Sequence, residues 1–402
     1  MTEALRSAPQ DLLDDLLERR TEANARFFET EAERIARLCH RMAERFARGG
    51  RLFALGRSPS ARSDARHVAV EFVHPVIVGK RALPAIGLTQ DGGELAAQVP
   101  LLVEPDDIVI AFEAEDGATA AALEPAVARG CLTIAFARAG AEWELEPPSG
   151  DPFVRQELIE TLYHLLWELV HVFFEHRGLL AGRDAGPVHD TGASSFLYPF
   201  LAEREHDLEG VLADIARSVG LKAAEVAALR VQTLGDHRDD LIAAAAALRA
   251  AFSAGGKLLA LGNGGSATDA MDMVADFRAP PGGGMARRAL DLTEDSSILT
   301  AIANDIGPEA IFARQVIAYG QAGDALLALS TSGGSRNVIA ALAEARKRGL
   351  ATIAMVGYDG GRIAEEGLAD HVVVSRSQHI PRIQEAQASA YHALRELVER
   401  GA

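Results

Sequence analysis

Residues 11–48 place apolar positions three and four apart, which predicts an amphipathic helix, and Gly49-Gly50 supply its stop. Residues 207–254 repeat that helical pattern and end at Gly255-Gly256. Beyond each glycine pair the period changes. Apolar runs of strand length now alternate with amphipathic stretches: LLALG before ATDAMDMVADF, ALLALS before SRNVIAALAEARKRG, ATIAMVG before GRIAEEGLA, and HVVVS before a final helix. Such alternation predicts an α/β chain with parallel sheets flanked by helices. Ligands of such sheets bind outside the carboxyl ends of the strands.

The pattern recurs because the sequence does. GGRLFAL (49–55) matches GGKLLAL (255–261), and DARHVAVEF (64–72) matches DAMDMVADF (269–277). DIVIAF (107–112) then pairs with DALLAL (324–329), and GCLTIAFA (130–137) with GLATIAMV (349–356). Finally QELIETLYHLLWELV (156–170) falls on QEAQASAYHALRELV (384–398). Five blocks in one order indicate a tandem duplication, with long helices opening each copy. The Gly-rich, nearly aperiodic stretch 178–195 marks the join. The expected organisation is a first domain over 1–180, a linker over 181–200 and a second domain over 201–402.

Composition narrows the function. The chain has 402 residues and a formal net charge of −17, which argues against general binding to nucleic acid or acidic membranes. It leaves room for an anionic metabolite held by a local field. Cys39 and Cys131 stand far apart, so neither a disulfide framework nor a thiolate metal site is expected. No apolar run reaches the ~20 residues of a membrane span, and the first residues are too acidic for a secretion signal. A cytoplasmic protein is expected.

Two loops of the second copy carry the chemistry. GNGGSATD (262–269) and STSGGSRN (330–337) each follow a strand and open a helix. Glycines permit close backbone approach, Ser266 and Asp269 are available for capping, and backbone amides at a helix start attract anions. The helix dipole alone contributes only ~0.3–1 kcal/mol, so Asn263, Gly264, Ser266, Ser330, Thr331, Ser332 and Ser335 would supply much of a phosphate's binding. The plainer reading is an ordinary capped turn at each helix. Neither the lysine of a P-loop nor G-x-G-x-x-G is present, so no nucleotide cofactor is expected.

These loops, with AIANDIG (301–307) and PRIQE (381–385), resemble the sugar isomerase (SIS) domain family, and within it the phosphoheptose (D-sedoheptulose 7-phosphate) isomerase branch. Resemblance is strong over about 257–400 and degraded over 50–175. It implies two tandem SIS domains, each a flavodoxin-like parallel sheet flanked by helices. Relatives form four-domain bodies with sites where subunits meet, so a homodimer is implied here. The implied substrate is a phosphorylated sugar, with Asn304, Asp305 and Gln384 as further substrate contacts. The implied chemistry is aldose–ketose isomerisation through an enediol, with a carboxylate base, a histidine acid and, in many members, zinc.

Family members carry His-x3-Glu after the first loop and Gln-x7-His in the last helix. The first copy retains both, as His67/Glu71 and Gln156/His164. The second has Asp272/Asp276 and Gln384/His392, with Pro381 where the family has Asp. Its oxygen ligands leave a harder divalent ion open beside zinc. The loops decay the other way. GRSPSA and FEAEDGAT replace the serine loops in the first copy, and Glu113, Glu115 and Asp116 would repel phosphate. Metal ligands are therefore expected at His67, Glu71, Gln156 and His164, or alternatively at Asp272, Asp276, Gln384 and His392. The base would be Asp276 or Glu71, and the acid His392 or His164. Complementary decay suggests one composite site, with His164, Gln156 or Glu71 joining the second copy's phosphate loops. The expected reaction is conversion of sedoheptulose 7-phosphate to D-glycero-D-manno-heptose 7-phosphate. The alternative is a sugar-phosphate-binding regulator or scaffold without turnover.

Overall fold

The computed structural model describes residues 9–76, 80–89, 93–113, 117–175, 179–180 and 207–400. The linker expected at 181–200, and Glu115 and Asp116, lie outside the described residues. Two compact units emerge. One, here the C-terminal unit, is drawn from Met1–Glu22, Asp151–Glu157 and Glu225–Ala402; the other, the N-terminal unit, from Ala23–Gly150 and Leu158–Ala224. Packing therefore assigns three helices to both units, whereas the repeat divides the chain at one place.

The chain opens with α1 (Pro9–Ala47), which ends before Gly49 at φ +94°. The left-handed conformation there is the usual helix stop, open to glycine at no steric cost. Next come β1 (Leu52–Leu55), α2 (Pro59–Val73), β2 (Ala85–Leu88), α3 (Leu95–Leu102), β3 (Ile108–Ala111), α4 (Gly117–Ala128), β4 (Leu132–Ala135), β5 (Trp143–Glu144) and α5 (Pro152–Glu175). The five strands pair in parallel in the order β2-β1-β3-β4-β5. Phe53, Leu55, Val109 and Ala111 pack against Leu95, Val99 and Leu123 in this unit's core.

The second half begins with α6 (Leu208–Asp236) and α7 (Arg238–Ser253). The long helical stretch read from the sequence is divided at His237, whose ψ of 24° leaves the helical region. Then follow β6 (Leu258–Leu261), α8 (Gly265–Arg278), β7 (Ala289–Asp291), α9 (Ser296–Asp305), α10 (Ile311–Tyr319), β8 (Ala325–Ser330), α11 (Arg336–Lys347), β9 (Ala351–Gly357), α12 (Gly361–Glu365), β10 (His371–Ser375) and α13 (Ile380–Arg400). The sheet order is β10-β9-β8-β6-β7, again all parallel. Read from its other edge, this repeats the order of the first sheet strand for strand.

Period-two alternation explains why β6 is apolar throughout. Leu258 and Ala260 face Leu248, Met273 and Leu394 on one side, while Leu259 and Leu261 face Val338, Leu342 and Val356 on the other. Both faces are covered, as parallel sheets require. Each buried leucine contributes about 1.5–3 kcal/mol. Among the described residues, no helix is long and apolar enough to cross a membrane.

Candidate functional site

The serine loops leave β6 and β8, which are hydrogen-bonded neighbours in the C-terminal unit's sheet. In this strand order the chain reverses direction across the sheet between them, and ligands of doubly wound sheets bind at that point. Gly264, at φ +58°, caps α8 without a side-chain bond, so neither Ser266 nor Asp269 serves as the cap. α11 also starts without a side-chain cap, at Ser335. Both helix starts thus keep amide donors available for an anion. Ser330 Oγ lies 3.3 Å and Ser332 Oγ 3.5 Å from Ser335 Oγ. Asn263 and Asn337 exchange reciprocal amide bonds of 3.0 and 2.8 Å that tie the two loops together. Gly333 allows the tight fit: at φ +59°, a Cβ there would stand 2.1 Å from the Gly360 carbonyl oxygen. Ser266 is buried and Thr331 half-buried. Asn304 and Asp305 are exposed at the end of α9 and bond to each other at 2.8 Å.

Farther along α8, Asp272 and Asp276 face His392 of α13. His392 Nε2 lies 3.4 Å from Asp272 Oδ2 and 3.5 Å from Asp276 Oδ2. All three are buried, and their ligand atoms fall within 4.8 Å of one another. Tyr391 donates to Asp272 Oδ2 at 2.9 Å. Neither His392 Nε2 nor Asp276 Oδ2 has a hydrogen-bond partner among the described residues. On the other side of the ring, His392 Nδ1 meets Glu157 Oε1 at 2.9 Å. Burial, then the neighbouring Asp272 carboxylate, pushes Asp276 well above the usual carboxylate range. Burial alone would lower His392, but the Asp272 carboxylate beside Nε2, the Glu157 hydrogen bond and the charge of Asp276 outweigh it and hold the imidazole up to about 10. Gln384 is buried near the start of α13, eight residues from His392 and therefore ~12 Å away along the axis.

A second cluster occupies the N-terminal unit. His67, Glu160 and His164 are buried with ligand atoms within 4.8 Å of one another, and Glu71 Oε1 lies 3.9 Å from His67 Nε2. The two Nε2 atoms of His67 and His164 are 3.4 Å apart. Zinc–nitrogen bonds of ~2.0 Å place neighbouring tetrahedral ligands about 3.3 Å apart, so both clusters have donor spacings that fit a metal ion. Two imidazoles and carboxylates suit zinc, while one imidazole and two carboxylates also suit harder ions. Tyr163 Oη lies 2.9 Å from His67 Nδ1. When His67 donates its Nδ1–H there, Nε2 keeps a lone pair for a ligand. Gln156 is half-buried and falls in the C-terminal unit.

Two contacts at the turn before α2 oppose an anion there. Ser58 caps α2 by accepting from Ala61 N at 3.1 Å, which uses one of the free amides. Glu113 brings Oε1 to 3.4 Å from Ser60 Oγ, placing negative charge over that turn.

Two cluster residues escaped the sequence reading. Glu160 stands four residues before His164, the same spacing as His67 and Glu71, so helical periodicity alone marked it. Glu157 follows Gln156 as Glu385 follows Gln384; that doublet, recurring in both copies, was its only signal.

A model of the SIS domain matches residues 223–357. Phosphoheptose isomerase of Chlorobium phaeobacteroides is 47% identical over 164 residues, which is 40% of this chain and 72% of that protein. The enzyme of that name from Pelobacter propionicus is 48% identical over 163 residues, 39% of this chain and 82% of its own. Among solved structures, the C-terminal domain of glucosamine-fructose-6-phosphate aminotransferase from Francisella tularensis matches 99% of this chain and 97% of its own at TM-score 0.60 and 9% identity, a likeness of fold alone. The chain belongs to the SIS domain family, and its C-terminal part resembles the phosphoheptose isomerases.

Proposed function

We propose that the protein is a sugar-phosphate aldose–ketose isomerase that converts sedoheptulose 7-phosphate to D-glycero-D-manno-heptose 7-phosphate. The observation that carries this reading is the layout of α8. Its uncapped glycine start meets the serine loop, and its Asp272 and Asp276 meet His392. Asp272 and Asp276 lie six and ten residues beyond Ser266, or ~9–15 Å along the helix. An extended seven-carbon sugar phosphate spans such a distance, with phosphate at the serines and carbonyl end at the carboxylates. Sugar-phosphate isomerisation in similar proteins supports the same assignment.

Asp276 acts as the base, since a carboxylate raised above the ordinary carboxylate range holds a proton more firmly and can take one from carbon and return it to the adjacent carbon. His392 donates to the carbonyl oxygen as the enediol forms. With a divalent ion bound, Asp272, Asp276 and His392 Nε2 would be its ligands, and the ion would supply electrostatic stabilisation of the enediolate oxygens in place of the imidazole proton. His67, Glu71, Glu160 and His164 would hold a second ion, in a copy whose loops no longer suit phosphate. The two copies divide as 1–180 and 201–402, and two chains would assemble the four SIS domains of this family's bodies.

The test is incubation with sedoheptulose 7-phosphate in deuterated water, with zinc, manganese or magnesium in turn. Aldose phosphate carrying deuterium at C2 is expected. Absence of product and of deuterium under every metal condition overturns the assignment. A regulator or scaffold that binds the sugar phosphate without turnover is then the reading left. One observation favours it: Asp272 and Asp276 stand where family enzymes carry His and Glu.

A further inference from the structure

We infer that Glu157 is a positioning residue for His392, fixing the ring so that Nε2 is its only working nitrogen. The inference rests on the isomerase reading of the C-terminal unit and assigns a role to a residue of the first repeat. Glu157 is buried, and its carboxylate is held from several sides. Arg20 donates Nε to Oε1 and Oε2, at 3.0 Å each, and its Nη2 lies 2.8 Å from Oε1. Ser389 donates to Oε2 at 2.5 Å and itself receives Arg230 Nε at 2.9 Å.

A carboxylate paired with a buried guanidinium, with donors on both oxygens, can only accept. The 2.9 Å bond from His392 Nδ1 to Glu157 Oε1 therefore fixes the proton on Nδ1. Nε2 is left facing Asp272 and Asp276, free to carry a proton or to ligate an ion. Phe153 lies over the same ring, with centroids 4.7 Å apart, which further restricts its rotation. A carboxylate behind a working imidazole sets tautomer and orientation without touching substrate, and such outer partners typically matter 10–100-fold.

A structural role alone, neutralising Arg20, makes a different prediction: lost stability, with kcat of the folded fraction unchanged. The experiment compares wild type, Glu157→Asp, Glu157→Gln and the double variant Arg20→Gln/Glu157→Gln. The double variant removes the Arg20 charge together with its carboxylate and so guards against misfolding. Nitrogen-15 NMR of the His392 imidazole should show an Nδ1–H signal shifted by its bond to a carboxylate in wild type and in Glu157→Asp, and that shift lost in both Gln-bearing proteins. In sedoheptulose 7-phosphate turnover, kcat should fall about 10–100-fold in the Gln-bearing proteins with KM within about twofold, and recover in part in Glu157→Asp. An unchanged imidazole spectrum, or wild-type kcat in the folded double variant, overturns the inference. Wild type without turnover sinks the isomerase reading instead, and the imidazole spectrum then decides alone whether Glu157 sets the ring.

Discussion

The Tyr391 hydroxyl donates to Asp272 at 2.9 Å, and the Tyr163 hydroxyl lies at the same 2.9 Å from His67 Nδ1. In each unit the last long helix carries the tyrosine one residue before a cluster histidine, and the helix after the first loop carries its partner. The duplication therefore preserved a contact while the partner changed from imidazole to carboxylate. Removing a donor to a buried carboxylate costs about 1–3 kcal/mol. Tyr391→Phe is expected to lower the unfolding free energy measured in urea by that amount, and Tyr163→Phe to do so less, because its partner is an imidazole. A midpoint for Tyr391→Phe equal to wild type would show that Asp272 is held by other groups.

The serine loop makes a separable prediction. Ser330 and Ser335 present hydroxyls where β8 gives way to α11, remote in sequence from the acid–base cluster. A hydrogen bond to a charged group is worth about 1.5–3 kcal/mol, or roughly 10–150-fold in binding. Ser330→Ala and Ser335→Ala should each raise KM for the sugar phosphate by that factor and weaken competitive inhibition by inorganic phosphate in step. kcat should change only a few fold, since the phosphate contact is made equally in ground and transition states. Equal losses in kcat with KM untouched would move the phosphate elsewhere.

The duplication, the central strands and the serine loops were legible because each leaves a local pattern. β6, β8 and β9 are apolar on both faces, so they stand out as uninterrupted runs. β2, β5 and β7 did not stand out. They have four, two and three residues, and are set by pairing to a neighbour rather than by their own sequence. Asp276 and His392 were legible from their places in the family motif, and the structure brings them to 3.5 Å. Glu157 was not, because its partners Arg20 and His392 lie 137 and 235 residues away. Gln156, its neighbour, drew attention instead through its spacing to His164, although the two fall in different units.

Metal stoichiometry separates the clusters. The imidazole pair His67/His164 should bind zinc more tightly than the carboxylate-rich Asp272/Asp276/His392 group, since nitrogen donors favour zinc and oxygen donors favour harder ions. Dialysis against a chelator of graded strength should therefore strip the C-terminal cluster first, with loss of turnover that manganese or zinc restores. His164→Ala should remove one zinc equivalent per chain by elemental analysis and lower the melting temperature, while turnover by the C-terminal cluster persists at reduced temperature. Retention of full zinc content in His164→Ala would exclude that cluster as a metal centre.

Asp291 sets a dependence of stability on pH. It ends β7 with Oδ1 accepting from Thr293 N at 2.7 Å and from Thr293 Oγ1 at 2.6 Å. Oδ2 has no hydrogen-bond partner among the described residues. Burial, with a smaller push from Glu294, raises the carboxyl from 3.8 to about 6 against the opposing Thr293 bonds and Arg278. The native state therefore holds this proton more tightly than the unfolded chain. Its contribution is fully favourable below about 4 and is lost as pH rises from about 4 to about 6. Above that, the ionised group costs up to about 3 kcal/mol. Asp291→Asn retains an oxygen for both Thr293 donors and carries no charge. Its unfolding free energy in urea should exceed that of wild type at pH 8 by about 1–3 kcal/mol, and the gap should narrow to about half near pH 5 and close below about pH 4. A gap that stays constant across that range would mean that Asp291 does not titrate there.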